Sequence, residues 1–271
     1  MSKYSVGLDF GTTSISIAVL NNATKKTIYV DSKAHNGFTD VNDPQIKEQD
    51  PEKLLTLAKK MLDDVISNFY PIGGIGITGQ MHGILYLDEN NEPLSPLITW
   101  QDNRAASIHE NEKSYLQEIT EKTGYTAYSG YGLVTHYYFS LNNLVPANAN
   151  KLCTIMDYAA LSFSGATHPV IHPTNAASLG LYDIENNCFD KKALEILGMD
   201  PSILPDVVAS ASCQGYYREI PVYQGVGDNQ ASVLYSLNDN PEGCLVNIGT
   251  GSQVSMICDD IFIALAVGCH I

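Results

Sequence analysis

Two short loops rich in glycine and hydroxyl side chains stand near opposite ends of this 271-residue chain. The first, GTTS, spans residues 11–14 and the second, GTGS, spans residues 249–252; each follows one short apolar run and precedes another. Glycine permits a tight turn and close approach by a ligand, and successive N–H groups and hydroxyls form a concavity that suits phosphate. One such loop is more often an ordinary hairpin turn, but two matching copies indicate two clamps on one polyphosphate.

Two aspartates lie beside glycine turns, where a carboxylate can take part in phosphate chemistry. Asp9 comes just before the first loop, and Asp228 lies in VGDNQ, where a glycine-led strand passes into a helix. Phosphoryl transfer needs a metal ion to neutralise phosphate charge and a group that orients or deprotonates the attacking hydroxyl. An aspartate at such a turn also serves as a helix cap or a turn cap, so the residues alone leave both interpretations open.

The composition disfavours several classes of partner. Fifteen basic residues against thirty acidic ones give a formal charge of −15 without a basic cluster, which disfavours nucleic acid. The N-terminus does not have the pattern of a signal peptide, and the apolar run IFIALAVGC is about half as long as a membrane span. We therefore expect a cytoplasmic protein that binds no membrane, with its six scattered cysteines reduced and buried.

The hydropathy pattern of the first half predicts the elements that position the first loop. Alternating apolar residues predict a β-hairpin around DFGTTS and a third strand at 26–32. A helix should follow Asp50, its expected N-cap, because one apolar stripe runs through DPEKLLTLAKKMLDDVISNFY. The next segments predict strands in GGIGITG, GILYLD and PLITW, and then a helix over residues 105–123 that Gly124 ends.

The second half predicts the elements around Asp228. KLCTIMDYAALSFSG indicates a strand or buried element that runs into a helix, TNAASLGLYDIENNCFD a loop before an antiparallel strand pair, and DKKALEILG a short helix. The last third indicates the strand PVYQGVG, the turn DNQ, the helix ASVLYSL and the hairpin CLVNIGTGSQVSMIC. Strands alternating with helices, without a linker in residues 1–255, predict one mixed α/β domain.

Taken together, the glycine loops resemble the phosphate loops of the actin, Hsp70 and sugar-kinase superfamily, whose domains are ribonuclease-H-like. The motifs between them resemble the FGGY carbohydrate kinases, and sedoheptulokinases most closely, with xylulokinases next. Four motifs carry this resemblance: GITGQMHGILYLD (76–88), PLITWQDNRA (96–105), HPTNAASLGLYD (172–183) and GVGDNQAS (225–232). The similarity covers nearly all of residues 4–257 and implies a mixed sheet flanked by helices.

The resemblance implies ATP-dependent phosphorylation of a ketose similar to sedoheptulose at a primary hydroxyl, with Mg²⁺ as the metal. Asp228 would be the general base, and Asp9 would hold Mg²⁺ largely through water. The loop residues that would contact the phosphates are Gly11, Thr12, Thr13 and Ser14 in the first copy and Gly249, Thr250 and Gly251 in the second.

The resemblance also assigns a sugar site to the GQMHG loop. Gln80, Met81 and His82 would bind the ketose, with Met81 against its carbon skeleton and His82 on a hydroxyl. Asn229 would bind a second hydroxyl. The segment GYGLVTHYY departs from the xylulokinase pattern, which favours a sugar of different length or orientation.

Two interpretations remain open for the segment WQDNR. In one, Trp100 stacks on the sugar and Asp102 bonds to it. In the other, Asp102 and Arg104 form an ion pair that only fixes the loop.

The end of the chain modifies these expectations. In FGGY kinases a second domain that binds adenosine follows the sugar-binding domain, whereas residues 256–271 are too few for one. We therefore expect a truncated chain that retains ketose binding, has weak or no kinase activity and can form a homodimer through the exposed docking surface. Two other classes remain: a non-catalytic sugar-binding domain, which titration without turnover would indicate, and an actin-like nucleotide switch, which nucleotide binding without a sugar effect would indicate.

Overall fold

The computed structural model describes the following residues: 2–110, 112–208, 212–238, 240–248 and 252–257. The chain divides into two compact units, Met1–Asp228 and Asn229–Ile271. The glycines and threonine of the second loop, 249–251, and residues 258–271 lie outside the described part.

The chain alternates strands and helices, as the sequence predicts. The strands are β1 Tyr4–Phe10, β2 Ser14–Asn21, β3 Lys26–Ala34, β4 Glu48–Gln49, β5 Ile72–Gly79, β6 Leu85–Leu87, β7 Leu97–Ile98, β8 Lys151–Cys153, β9 Val170–Ile171, β10 Tyr182–Asp183, β11 Cys188–Phe189, β12 Asp206–Val207, β13 Cys213–Tyr217, β14 Ile220–Tyr223, β15 Val226–Gly227, β16 Cys244–Ile248 and β17 Ser252–Met256. The α-helices are α1 Pro51–Asn68, α2 Tyr115–Thr123, α3 Gly132–Leu141, α4 Ile155–Ser164, α5 Pro173–Leu179, α6 Lys191–Ile196 and α7 Asp228–Leu237.

A mixed sheet organises the first unit. Its strand order is β13-β14-β5-β1-β2-β3, and β15 also pairs with β5. The predicted hairpin is confirmed, because β1 and β2 run antiparallel from Tyr4 opposite Asn21 to Phe10 opposite Ile15. In contrast, β1 and β15 both run parallel to β5, so their carboxyl ends lie at the same edge of the sheet.

The predicted helix after Asp50 is confirmed as α1. The Asp50 side chain accepts hydrogen bonds from the backbone N–H groups of Glu52 and Lys53, and Pro51 occupies the first turn, where its missing N–H costs nothing. The apolar stripe of α1 is buried against the sheet, where it joins β1, β2 and β5 in a hydrophobic core. This core supports the strand ends that carry the glycine loop.

The predicted helix at 105–123 is wrong in its first half. A single 3₁₀ turn occupies Arg104–Ala106, and α2 begins only at Tyr115. Ser114 is the N-cap of α2 and forms a reciprocal capping box with Gln117. The preceding loop therefore ends at Ser114. Gly124 ends the helix in the left-handed conformation, as predicted.

The predicted loop at the start of TNAASLGLYD is also wrong, because residues 173–179 form helix α5. His172 is its N-cap and Pro173 lies in its first turn. The antiparallel strand pair predicted after it is confirmed as β10 and β11. Seven helical residues are too few to show a hydrophobic period, so the proline was the only local signal.

The second unit contains the rest of α7 and the antiparallel hairpin of β16 and β17, which confirms the predicted CLVNIGTGSQVSMIC hairpin. Val246 faces Val254 across this hairpin, and both side chains are largely exposed. Across the described part of the chain, no helix combines the length and the apolar character needed to cross a membrane.

Of the four cysteines that the structure describes, only Cys153 is buried as expected. Cys188, Cys213 and Cys244 are unpaired and exposed. Cys213 lies on β13, an edge strand, and Cys188 on a two-stranded sheet, so neither reaches a core. Cys258 and Cys269 lie outside the described residues.

Candidate active site

Asp9 and Asp228 lie at the same edge of the sheet, on either side of the end of β5. Asp9 and Val226 both pair with Thr78, and Phe10 and Gly227 both pair with Gly79. Asp228 follows directly as the first residue of α7. The backbones of β1 and β15 are two strand spacings apart, about 10 Å, a separation comparable to the size of a phosphate group with a hydrated cation.

The two carboxylates influence each other electrostatically. Burial raises the pKa of Asp9, and the negative charge of Asp228 raises it further. A divalent cation would relieve this repulsion, and a pair of carboxylates with water suits Mg²⁺, which seldom needs more protein ligands. In the part of the chain that the structure describes, no cluster of three or more His, Cys, Asp or Glu residues could hold a metal. Mg²⁺ binding by Asp9 remains a prediction, which its partly buried carboxylate is chemically suited to fulfil.

Three side chains hold the first glycine loop through hydrogen bonds to Thr12. The backbone carbonyl of Thr12 accepts hydrogen bonds from Gln49 Nε2 at 2.8 Å and from His35 Nε2 at 3.0 Å. The Thr12 hydroxyl lies 3.0 Å from Trp100 Nε1, which donates to it. These bonds hold the predicted phosphate loop against the WQDNR segment, 88 residues away in sequence.

Gln80 belongs to the same support. Its Nε2 donates to Gln49 Oε1 at 2.8 Å, and its backbone N–H donates to the carbonyl of Phe10. Gln80 is almost fully buried, and its Oε1 has no hydrogen-bond partner among the described residues. Sugar contact by Gln80 remains a prediction; the contacts present connect it to the phosphate loop.

His82 is held in an unusual backbone conformation. Its φ of 73° lies in the left-handed region, which is costly for a residue with a Cβ. Its N–H donates to Ser178 Oγ at 3.2 Å, and its ring Nδ1 lies 2.7 Å from the carbonyl oxygen of Ser178. The ring also stacks on Tyr131 at a centroid distance of 4.5 Å. Both partners lie in segments to which the sequence assigned no contact with His82.

The bond to Ser178 determines what His82 can offer a ligand. A carbonyl oxygen can only accept, so Nδ1 carries the proton and donates to it. Burial lowers the pKa of His82, although the Ser178 carbonyl and the charge of Asp228 oppose this shift. The neutral ring then has a lone pair on Nε2, which can accept a hydrogen bond from a hydroxyl group.

Asp102 and Arg104 form the ion pair of the second interpretation. Arg104 Nη2 lies 3.0 Å from Asp102 Oδ2 and 2.8 Å from Glu48 Oε1. Asp102 Oδ2 also accepts the backbone N–H of Lys47. Asp102 is almost fully buried, so these contacts fix the loop, and its direct bond to a sugar remains a prediction.

Trp100 remains available for the stacking role. Its side chain is 46% exposed while its indole N–H is bonded to Thr12. Gly130, whose φ is 83°, packs against the Trp100 carbonyl so closely that a Cβ would clash. Trp100 is therefore held at its edge and backbone, with ring surface exposed to solvent.

The remaining predicted residues differ in what the structure shows. Met81 is buried beside His82, whereas Thr13 is exposed. Gly249, Thr250 and Gly251 lie outside the described residues. Asn229 is the first residue of the second unit, and its sugar contact remains a prediction.

Comparison with known proteins adds an independent observation. Residues 4–241 match the FGGY family of carbohydrate kinases, N-terminal domain. The chain is 27% identical to xylulose kinase from Staphylococcus xylosus, covering 91% of this chain and 53% of that protein. It is 28% identical to sedoheptulokinase from Mus musculus, covering 92% and 58%. The chain thus spans about half the length of these relatives.

The solved structures confirm the predicted ribonuclease-H-like α/β fold. Gluconate kinase from Lactobacillus acidophilus superposes with a TM-score of 0.82 at 23% identity, covering 96% of this chain and 55% of that one. The three relatives are named for three different substrates, so similarity alone does not choose among them. Because the family match extends over most of the sequence, this chain belongs to the FGGY family of carbohydrate kinases.

Proposed function

We propose that this chain is the sugar-binding part of an ATP-dependent kinase that phosphorylates a ketose similar to sedoheptulose at a primary hydroxyl. The observation that carries the proposal is the strand pairing that brings Asp9 and Asp228 to the same end of β5, from which the chain continues to His82. The charge of Asp228 also affects the pKa of Asp9, the predicted metal ligand, and of His82, the predicted sugar ligand. A carboxylate whose charge affects both groups can accept the proton of a hydroxyl that attacks a phosphate.

In this proposal, different residues of the chain bind the sugar, accept the proton and hold the metal ion. His82 Nε2 accepts a hydrogen bond from one sugar hydroxyl, the exposed ring of Trp100 covers the carbon skeleton, and Asp228 accepts the proton of the reacting hydroxyl. Asp9 would hold Mg²⁺, which neutralises phosphate charge when it is bound. The backbone of residues 11–14 faces the phosphates with its N–H groups. The exposed unpaired cysteines suit the reducing cytoplasm.

Calorimetric titration of the 271-residue chain with sedoheptulose and with xylulose tests sugar binding. We expect saturable binding of the heptulose, and weaker binding of the pentulose, because the segment around Tyr131 departs from the xylulokinase pattern. Binding of neither ketose would contradict the proposal. Tighter binding of xylulose would instead favour the alternative, a pentulose kinase.

A coupled assay for ADP tests the catalytic step. We expect weak or no transfer by this chain alone, since the relatives use about twice as many residues. Any transfer should be abolished by Asp228→Asn, while ketose affinity should change only slightly, because the amide keeps the shape but cannot take a proton. Asp64→Asn, on the exposed face of α1, is the matched control for lost charge. Transfer that survives Asp228→Asn would refute the role of Asp228.

Ketose binding without any transfer, in this chain and in longer versions of it, would favour the other alternative, a non-catalytic sugar-binding domain.

A further inference from the structure

Helix α5 contacts both parts of the candidate site. At its N-terminal end, Thr174 Oγ1 accepts the backbone N–H of Gly227 at 3.1 Å, one residue before Asp228. At its C-terminal end, Ser178 binds His82 through both its hydroxyl and its carbonyl oxygen. Thr174 and Ser178 are four residues apart, so they lie on one face of the helix, separated by about 6 Å along its axis.

A second contact strengthens the N-terminal end. Asn175 is fully buried, and its Nδ2 donates to the carbonyl of Gly225 at 3.2 Å. Gly225 packs directly on Met156 of α4, since a Cβ on it would lie 2.7 Å from the Met156 Cβ. The segment between β14 and Asp228 is thus held at Gly225 by Asn175 and Met156, and at Gly227 by Thr174.

These contacts form a closed circuit. Gly227 pairs with Gly79 at the end of β5, and His82 follows Gly79 by three residues along the chain. From the end of β5 the chain continues to His82, which is hydrogen-bonded to Ser178 of α5. Thr174, at the other end of α5, is hydrogen-bonded to Gly227, which pairs with β5 again. The left-handed backbone of His82 needs such support, because strained conformations persist only where neighbouring contacts determine them.

We infer that α5 is a positioning helix that sets the separation between the sugar-binding His82 and the base Asp228, with Thr174 and Ser178 as its positioning residues. This inference rests on the proposed function. Neither residue touches the substrate in it; each acts through the residue that it binds. A change in either bond should therefore affect one partner and spare the other.

The His82 ring is a probe for both ends, because its titration is observable by NMR without a ligand. Ser178→Ala removes the hydroxyl that accepts the His82 backbone N–H, while the bond from the ring to the Ser178 carbonyl does not depend on that side chain. The His82 loop is then held less firmly on α5 and the ring becomes more exposed, so its pKa should rise towards the ordinary value. In Thr174→Val the Asp228 turn can recede, so its charge supports the protonated ring less and the His82 pKa should fall further. Asp228→Asn should also lower the His82 pKa. In the Asp228→Asn background, Thr174→Val should cause no further change in that pKa.

Ketose affinity provides the second measurement. Ser178→Ala should weaken sedoheptulose binding about tenfold, the effect expected when a misplaced His82 loses its hydrogen bond to the sugar. Ser178→Thr should restore the affinity. Thr174→Val should leave ketose affinity nearly unchanged. Ser162→Ala and Thr123→Val remove comparable helix hydroxyls far from the site and should change neither quantity. Melting temperatures, measured in parallel, separate these effects from general destabilisation.

Opposite shifts of the His82 pKa in the two variants, each restored by Ser178→Thr or Thr174→Ser, would support the inference. An unchanged His82 pKa and unchanged ketose affinity in both variants, with only a lower melting temperature, would overturn it. If the wild-type chain binds no ketose, the proposed function fails, and the two His82 titrations alone then decide whether α5 positions these groups.

Discussion

His82 shows how a single residue can combine strain with a fixed protonation state. Its left-handed backbone is held by Ser178, and its Nδ1 proton is committed to the Ser178 carbonyl. Burial favours the neutral ring, so the lone pair on Nε2 is present at neutral pH. A ligand hydroxyl can therefore donate to this nitrogen without first displacing a proton.

This arrangement predicts a pH dependence for ketose binding. Because burial lowers the pKa of His82, the ring is neutral at pH 8, and affinity should stay constant as the pH falls until it approaches that lowered pKa. At lower pH, once the solution falls below the depressed pKa, protonation removes the acceptor and affinity should drop by up to about tenfold per pH unit. Calorimetric titration with sedoheptulose at several pH values measures this.

The variant His168→Gln is the control for that prediction, since His168 is exposed and lies outside the site. It should show the same profile as the wild type. In His82→Gln the drop at acidic pH should disappear. A wild-type affinity that stays constant through the pH range in which NMR shows the His82 ring to become protonated would show that His82 does not accept a hydrogen bond from the sugar.

The candidate site residues could be selected from sequence motifs, and their chemical roles remain predictions, but the groups that hold them could not be predicted. Asp9, His82 and Asp228 stand in recognisable motifs. Their supports come from distant positions without motif character, such as Gln49, which bonds Thr12 and Gln80. A glutamine in a polar segment gives no local signal, because its role depends on which strand ends the fold brings together.

At the scale of elements, strong local signals gave correct predictions and weak ones did not. Helix α1 has an N-cap, a proline and five buried positions at helical spacing. Helix α5 has a proline but only seven residues, and it depends on tertiary contacts at both ends. The strand pairing that brings β15 beside β5 joins residues 148 apart, which no local pattern can indicate.

Helix α4 begins with a buried carboxylate that should make stability depend on pH. Asp157 is fully buried, and its Oδ2 accepts both the backbone N–H and the hydroxyl of Thr154 in a capping box. Its Oδ1 has no partner among the described residues. Burial raises the pKa of Asp157 to about 7, against the opposing effect of the bonds from Thr154.

The raised pKa determines the sign of the effect. Between pH 4 and pH 7 the folded chain binds the Asp157 proton more tightly than the unfolded chain, so unfolding becomes easier as pH rises. Relative to Asp157→Asn, the wild type should lose stability over this range, by up to about 4 kcal/mol for a shift of three pKa units. Urea unfolding of both proteins at pH 4.5, 6 and 8 measures the difference.

The control for this prediction is Gln117→Ala, which weakens the capping box of α2 without a titrating group. Its difference from the wild type should be the same at each pH. A wild type that gains stability relative to Asp157→Asn as pH rises would contradict the raised pKa.

At the scale of the whole first unit, the small sheet of β6 and β8 lies between two hydrophobic cores and contributes side chains to both. Leu85 and Leu87 of β6 belong to the core under the main sheet, whereas Ile84 and Tyr86 belong to the core around α2, α3, α5 and α6. The neighbouring strand β8 divides in the same way, with Cys153 in the first core and Leu152 in the second. Alternation along a strand sends adjacent side chains to opposite faces, so one thin sheet serves both cores.

Because β6 and β8 border both cores, we predict that the two cores unfold together, although chains of this length often unfold through intermediates. Leu85→Ala opens a cavity in the first core and Leu152→Ala in the second; each should cost about 2–5 kcal/mol. Because loss of β6 or β8 exposes both cores at once, each variant should lower one common transition. Leu141→Ala, at an exposed helix end, should cost less than about 0.5 kcal/mol. Far-ultraviolet circular dichroism and tyrosine signals in the near ultraviolet, followed through thermal unfolding, should therefore coincide in all four proteins. Two separated transitions, with each core variant shifting only one of them, would show that β6 and β8 do not couple the cores.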